Sequence, residues 1–561
     1  MDYMKLYEQW NAQKLADSSL TEELAAISGN EKEIEDRFYR DLEFGTGGLR
    51  GVLGAGNNRM NIYTIRRATQ GLADYLNATV ASPSVAIAYD SRRGSELFSK
   101  ESASVMAANG IKAYIYRELM PTPSLSYAVR ELGCHAGINV TASHNPAKYN
   151  GFKAYDASGC QITGEVADAV MANILKTDIF TGVKHIPFEE GLENGSIEYI
   201  SEDLVQSYIN RVLQERINPG ICEGAGLKLV YTPLNGAGRR CVLTVLGHMG
   251  ITDVTVVKEQ EMPDGNFPTC PYPNPEIAEA LQLGLNLTEK LGADLLLATD
   301  PDCDRVGTAV MENGKPRLIS GNEMGVLLID YIARSKKANG TMPKNPIVVK
   351  SIVSTTMADA VAADYGIEIR SVLTGFKYIG EQIALLEQAG ESERFLLGFE
   401  ESYGYLSGGY VRDKDAVDGA MLICEMAAWY KSRGKHLGQA LDELYEKYGW
   451  YLNSLDSYTF EGSDGMVKMN GILDSLRANP PAKVAGITVS HSVDYLDSDA
   501  TGFPSSNVLE YGLGETGSFI VRPSGTEPKL KVYYSLKGRS KDAVAERQKV
   551  LKAEVEKLLG I

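Results

Sequence analysis

At 561 residues the chain exceeds what one hydrophobic core usually organises, so three or four domains are expected. Hydrophobic residues make up 44% and charged residues 23%, a balance that excludes a disordered or low-complexity chain. With 56 basic against 73 acidic residues the net charge is -17, which argues against nucleic acid and anionic membranes as partners, and no basic run overrides it. A small anionic ligand would need cations concentrated in one cleft. The seven cysteines, Cys134, Cys160, Cys222, Cys241, Cys270, Cys303 and Cys424, are scattered and form no CxxC pair, which points to reduced thiols. The opening residues are polar and no apolar run reaches about 20 residues, so a soluble, cytoplasmic protein is expected.

The chain begins with a polar helical arm and a Gly-rich segment from Phe44 to Gly54. Short apolar runs then alternate with helical stretches: Val85 to Tyr89, a helix from Glu96 to Ala108, Ile111 to Ile115, a helix from Ser124 to Leu132, and Gly137 to Val140. This alternation predicts α/β architecture with mainly parallel strands. A second copy of the pattern has strands at Leu227 to Tyr231, Val254 to Val257 and Asp294 to Ala298, with helices around Ala237 to Leu246 and Glu276 to Leu291. A third runs from Met324 to about Tyr448, with strands at Ile347 to Ile352, Ile369 to Leu373 and Phe395 to Gly398. The remainder reads as α+β, with strands at Ile487 to Leu496, Ser518 to Val521 and Lys529 to Leu536 and a charged helix from Lys541 to Leu559. The expected fold is three similar mixed or mainly parallel α/β domains (1–208, 209–320, 321–452) plus a C-terminal α+β domain (453–561) around a central cleft.

In each copy an apolar strand ends in a polar loop, and ligands of open α/β sheets gather beyond such carboxyl ends. The first loop, Thr-Ala-Ser-His-Asn-Pro from Thr141, places the Ser143 hydroxyl at a strand end. It reads either as a turn-bracing serine or as a nucleophile assisted by His144, Asn145 and Lys153; no GxSxG elbow supports a hydrolase. The second loop carries Asp300, Asp302 and Asp304 at alternate positions, so an extended backbone turns all three carboxylates one way. A solvated acidic turn is the alternative, but three like charges at the end of an apolar strand repel without a cation, which favours a metal site. Arg305 and Met311 occupy the positions where an EF-hand needs glycine and glutamate, and an all-carboxylate set suits magnesium better than zinc.

The third loop offers Glu400 and Ser402, which share a face if the strand continues and then suit adjacent sugar hydroxyls; a solvent-facing acidic turn fits equally. Lys414 reads as a proton carrier or phosphate contact, or as part of the charged first turn of the next helix. In the terminal loop, Arg522 stands beside Ser524, Gly525 and Thr526, the chemistry that holds a dianionic phosphate. Gly-Leu-Gly-Glu-Thr-Gly at Gly512 to Gly517 matches a dinucleotide fingerprint in letters but not in context, because a strand comes after it.

These four loops, in this order, resemble the α-D-phosphohexomutase superfamily, in its phosphoglucomutase and phosphopentomutase branch, over nearly the whole chain. The resemblance implies a phosphoserine at Ser143 and Mg²⁺ held by Asp300, Asp302 and Asp304 together with the Ser143 group. Arg50, in Phe-Gly-Thr-Gly-Gly-Leu-Arg-Gly, matches an arginine near the phosphoserine, and Lys153 a proton carrier. His144, beside the serine, belongs with these catalytic groups. Substrate contacts are expected at Arg305, Lys377, Glu400, Ser402, Lys414, Arg522, Ser524, Gly525, Thr526 and Lys531. Asp413 to Ala416 departs from the pattern, since many relatives have glycine after the lysine and aspartate. The implied activity interconverts glucose 1-phosphate and glucose 6-phosphate, with glucose 1,6-bisphosphate as intermediate and activator. Mannose or pentose phosphates and bisphosphate synthesis are the alternatives. A non-catalytic sugar-phosphate sensor is disfavoured because Ser143, the aspartates and Arg522 are all present. A hexose phosphate is the expected partner of a monomer or weak homodimer.

Overall fold

The computed structural model describes residues 2–44, 48–460, 465–523 and 529–561. Four sheets carry the architecture. The first orders its strands Gly48–Val52, Tyr149–Asp156, Ala136–Val140, Ser84–Tyr89, Lys112–Ile115 and Ile197–Tyr199. From Ala136–Val140 to Ile197–Tyr199 the pairing is parallel, and at the other edge it is antiparallel. The second sheet repeats this scheme: Leu295–Thr299, Leu229–Thr232 and Val254–Val256 are parallel, while Val306–Glu312 and Lys315–Ile319 are antiparallel additions. In the third, Glu368–Val372, Ile347–Ser351 and Phe395–Glu400 are parallel and Gly404–Leu406 returns antiparallel. The fourth is wholly antiparallel, and the apolar face of the helix Lys541–Leu559 packs on it through Val544, Leu551, Val555 and Leu559. The fold is therefore three mixed α/β units and one α+β unit.

Every residue of Ala136–Val140, Leu295–Thr299, Ile347–Ser351 and Phe395–Glu400 is buried. Helices cover both faces of such strands, which is why they read as unbroken apolar runs. One continuous core joins the second and third units to one face of the first, whereas the fourth has its own core and meets the third through Val353, Leu373, Tyr495, Val508, Ile520 and Tyr533. All seven cysteines are buried and unpaired. No described helix is long and apolar enough to cross a membrane.

Several elements differ from the expectation. Trp450–Thr459, where no element was expected, is a ten-residue strand on the edge of the fourth sheet. From Leu455 on, exposed and half-buried residues alternate, and Asp456, Ser457 and Thr459 dilute the apolar signature. The single strand expected from Ile487 to Leu496 is broken: Ile487–Thr488 pairs with Lys483–Val484, and His491–Asp494 joins the main sheet. The helix Ile62–Thr79, opened by a capping box on Asn61 and Thr64, was not anticipated. Gly514–Thr516 is one 3₁₀ turn between antiparallel strands, so no dinucleotide-binding unit exists there.

A common device positions all three polar loops. Each connects the last strand of the parallel set to its antiparallel neighbour, giving the hairpin-like returns 141–148, 300–305 and 401–403. Each return contains one non-glycine residue in the left-handed region: Ser143 at φ 52°, Cys303 at φ 52° and Tyr403 at φ 67°. Backbone held in this region away from glycine is costly and persists where the surroundings over-determine it.

Candidate active site

The Ser143 loop is fixed from beneath. The Thr141 hydroxyl accepts from the Ser143 N–H at 2.8 Å and donates to Asp90 Oδ2 at 2.6 Å. Arg92, buried beside Asp90 at 3.3 Å, donates to the carbonyls of Ser143 (3.2 Å from Nε), Pro146 (3.0 Å) and Tyr149 (3.1 Å), and also to that of Asn145. A guanidinium suits this task because its five donors form a rigid planar fork. Gly151 lets the return strand approach, since a Cβ there would lie 2.5 Å from the Thr141 carbonyl oxygen. The loop is thus held through its backbone, leaving the serine oxygen to face the second unit.

There Ser143 Oγ lies 3.2 Å from Asp300 Oδ2 and 3.1 Å from His144 Nδ1. Asp300 Oδ1 accepts the N–H groups of Asp304 and Arg305, both at 3.0 Å, which closes the aspartate loop on itself. Gly236 supports that loop from below, because any Cβ would meet Pro301 Cα at 2.5 Å. Asp302 Oδ2 accepts from Thr122 Oγ1 at 2.9 Å and from Lys153 Nζ at 2.8 Å. Lys414 Nζ lies 3.0 Å from Asp304 Oδ2, and Lys153 Nζ lies 3.7 Å from the same oxygen.

One oxygen on each of two aspartates is left over. Asp302 Oδ1 and Asp304 Oδ1 are buried without a hydrogen-bond donor among the described residues. Candidate ligand atoms of the three carboxylates lie within 4.8 Å of one another, the only such group of metal-ligating side chains among the described residues. Burying unpaired carboxylate oxygens costs several kcal/mol by order of magnitude, which a divalent cation offsets. Burial and the neighbouring Asp302 and Asp304 push Asp300 well above the usual carboxyl range. Burial opposes ionisation at Asp302 as well, but Lys153 and Lys414 more than offset it and hold this group below its ordinary value. The donor set fits a hard cation that prefers oxygen ligands.

Around this cluster stand further groups that sequence reasoning selected. Arg50, on the strand Gly48–Val52, donates to Asn145 Oδ1 at 3.2 Å and so borders the serine loop. Arg305 pairs with Glu276 and lies 3.8 Å from Asp304 Oδ1. Glu400 accepts the Gly375 N–H at 2.8 Å. The expected alternation of Glu400 and Ser402 along one strand does not occur, because the strand ends at Glu400 and Ser402 sits in the turn. Lys414 is not in the first turn of the next helix: Asp415 caps that helix, and Lys414 reaches back to Asp304 and, at 3.2 Å, to Asp413.

Four family domains cover most of the chain. Residues 41–179, 206–314 and 320–448 match "Phosphoglucomutase/phosphomannomutase, alpha/beta/alpha" domains I, II and III, and residues 475–554 match the C-terminal domain of the same group. A curated phosphoglucomutase of Staphylococcus saprophyticus is 35% identical over 528 residues, covering 92% of this chain and 94% of that one. The chain belongs to the phosphoglucomutase/phosphomannomutase family. A phosphoglucomutase of Staphylococcus haemolyticus is 37% identical, covering 90% of this chain and 91% of the relative. Among solved structures of similar fold, parafusin, a phosphoglucomutase from Paramecium in its open form, superposes with a TM-score of 0.70 at 17% identity, covering 93% of this chain and 97% of that one. A phosphoglucomutase/phosphomannomutase family protein from Burkholderia thailandensis gives 0.68 at 19% identity, covering 92% and 97%.

The fourth unit of this family member supplies cations. Arg522 and Lys531 are cross-strand partners, and Lys377 stands in the first turn of the helix Phe376–Gln388. Burial first, and Arg522 in addition, lower the proton affinity of both Lys377 and Lys531. Like charges gathered in a partly desolvated place form a site for an anion. Lys531 also feels Glu401, Glu276 and Arg305, so the fourth unit faces the loops of the second and third. Ser524, Gly525 and Thr526, the remainder of the proposed phosphate loop, lie outside the described residues.

Arg92, Thr122, Glu276 and Asp413 escaped the sequence reading. Arg92 carried a usable signal, since it stands just beyond the central parallel strand Ser84–Tyr89 as Ser143 stands beyond Ala136–Val140. Thr122 and Asp413 carried none, because each finds a partner, Asp302 and Tyr155, across a contact between units, and Glu276 meets Arg305 only through the folding of the second unit.

Proposed function

We propose that this chain is a magnesium-dependent phosphoglucomutase that interconverts α-D-glucose 1-phosphate and D-glucose 6-phosphate in the cytoplasm, with Ser143 as phosphate carrier and glucose 1,6-bisphosphate as intermediate. The observation that carries the reading is the Ser143 hydroxyl 3.2 Å from an aspartate cluster that retains two unpartnered oxygens. Relatives named phosphoglucomutase, 35% and 37% identical over at least 90% of each chain, support the choice of sugar.

In the forward half-reaction a sugar hydroxyl attacks the phosphorus of phosphoserine 143, and the bond to Ser143 Oγ breaks as the sugar bisphosphate forms. The other phosphoryl group then returns to Ser143 from the reoriented intermediate. Asp300, Asp302, Asp304 and the Ser143 group would hold a divalent cation, which would neutralise charge on the transferring group. Burial, together with Arg305 and Arg50, lowers the proton affinity of His144, so its imidazole is neutral and only a weak base toward the sugar hydroxyl proton. Lys153 and Lys414 are kept protonated against burial by their aspartate neighbours and serve as positive charge or as proton donors. Arg522, Lys531 and Lys377 receive the distal phosphate in either orientation, and Glu400 and Ser402 read the sugar hydroxyls.

Turnover of glucose, mannose and ribose 1-phosphates, each with Mg²⁺ and a catalytic amount of the bisphosphate, tests the assignment. The glucose ester is expected to give the highest kcat/KM, and a tenfold preference for either other sugar would overturn it.

The pH response arises from Glu400, which burial raises to about 7 although Lys414 opposes the shift. The folded protein binds this proton more tightly than the unfolded chain does. Its contribution to stability is therefore full below the ordinary carboxyl range and is lost as pH rises through about 7. Ionisation also creates the acceptor for sugar hydroxyls. KM for the sugar phosphate should fall several-fold between about pH 6 and 8, and Glu400→Gln should remove that change. The second ionisation of the phosphate, near pH 6, is common to both proteins and cancels in their ratio. Parallel slopes for the two proteins would refute the role of Glu400.

A further inference from the structure

We infer that Thr122 and Asn139 of the first unit are positioning residues for the metal ligand Asp302 of the second, so that the cation site is complete only when these two units are docked; the inference rests on the metal assignment above. Thr122 is fully buried and is tied to Asp302 twice: its N–H donates to the Asp302 carbonyl at 2.8 Å and its hydroxyl to Oδ2 at 2.9 Å. Behind it, Asn139 Nδ2 donates to Thr122 Oγ1 at 2.7 Å.

The direction of this chain is fixed by chemistry. An ionised carboxylate only accepts, so the one hydroxyl proton of Thr122 points to Asp302, and Asn139 must present its N–H₂ to the threonine oxygen. Lys153, the cross-strand partner of Asn139, donates to the same Asp302 oxygen at 2.8 Å. With Oδ2 occupied by two donors, Oδ1 is the oxygen left without one. Two neighbouring strands and one helix start thus select which oxygen Asp302 offers.

A helix-capping role does not explain Thr122. The helix Thr122–Glu131 is capped at Pro121 and receives no side-chain cap bond, so the threonine hydroxyl is turned outward, across the boundary between units. Partners of this kind fix the orientation of a ligating group, and their loss typically weakens metal binding by about 10- to 100-fold.

The test is calorimetric titration of the purified full-length protein with Mn²⁺ and Mg²⁺, alongside thermal melting and sugar-phosphate kinetics at saturating metal. Thr122→Val keeps shape and removes the hydroxyl. It should weaken Mn²⁺ binding about 10- to 100-fold, with KM for the sugar phosphate little changed, while Thr122→Ser stays within about threefold of wild type. Asn139→Ala, which frees the threonine hydroxyl to rotate, should give a smaller loss in the same direction. Wild-type affinity in Thr122→Val, or in Asn139→Ala should the valine protein not fold, overturns the inference. Absence of metal binding by the wild-type protein would instead remove the metal assignment itself.

Discussion

Replacing Ser143 with alanine is expected to lower mutase turnover by roughly 10⁴-fold or more, since no other group takes the place of a removed nucleophile. The fold should survive. Among the described residues the serine oxygen has His144 Nδ1 and Asp300 Oδ2 as hydrogen-bond neighbours, whereas the loop is held through main-chain atoms by Arg92 and Thr141. Alanine occupies the left-handed backbone at φ 52° about as poorly as serine does, so the melting temperature should change little. Wild-type protein incubated with glucose 1,6-bisphosphate should gain one phosphoryl mass, mapped to the peptide containing Ser143, and that label should exchange into substrate. The alanine protein should neither gain nor exchange it while still binding sugar phosphate. Full turnover by the variant, or stable labelling of a different residue, would end the phosphocarrier assignment.

Much of this site was legible because parallel strands advertise themselves. Strands buried on both faces, such as Ala136–Val140 and Leu295–Thr299, are apolar throughout, and the loops beyond their last residues lie at the carboxyl edge of the sheet. The polar residues that interrupt such runs, Ser143 and Asp300, were therefore conspicuous. The antiparallel return strands were not. Tyr149–Asp156 and Val306–Glu312 carry mixed side chains, yet they turn the loops into hairpins and bring Lys153 under Asp302. Local periodicity cannot show which strand lies beside which.

The reading of Ser402 failed for a related reason. Alternation requires the strand to continue, and Tyr403 in the left-handed region ends it after Glu400. At Lys414 the sequence left two readings open. In sequence it stands before a helix whose cap is Asp415, where a charge is usually solvated, but the turn buries it against Asp304 from another unit. The contacts that assemble the cluster, Thr122 to Asp302, Lys153 to Asp302 and Lys414 to Asp304, span 180, 149 and 110 positions along the chain. Such distances are set by how units dock, and a single sequence carries no local trace of them.

Asp302→Ala is expected to have the next largest effect, lowering turnover by about 100-fold or more and raising the Mg²⁺ requirement at least tenfold. Three losses coincide at this residue. The unpartnered Oδ1 disappears as a ligand, the Thr122 hydroxyl loses its acceptor, and Lys153 loses its 2.8 Å partner and keeps Asp304 at 3.7 Å. Stability should move less than activity, because relief of repulsion among the three carboxylates opposes the weakened lysine pair. Asp302→Asn separates ligation from charge. An amide offering its oxygen to the cation must turn its N–H₂ toward Lys153 and the Thr122 hydroxyl, both of which are donors. Asparagine should therefore rescue the alanine protein only partly, and its Mg²⁺ titration should remain shifted from wild type. Activity titrations from metal-stripped protein, with Mn²⁺ binding measured beside them, check each step. Wild-type protein that keeps full turnover after exhaustive chelation, or an alanine protein whose Mg²⁺ dependence is unchanged, would show that Asp302 does not serve the reaction through a metal.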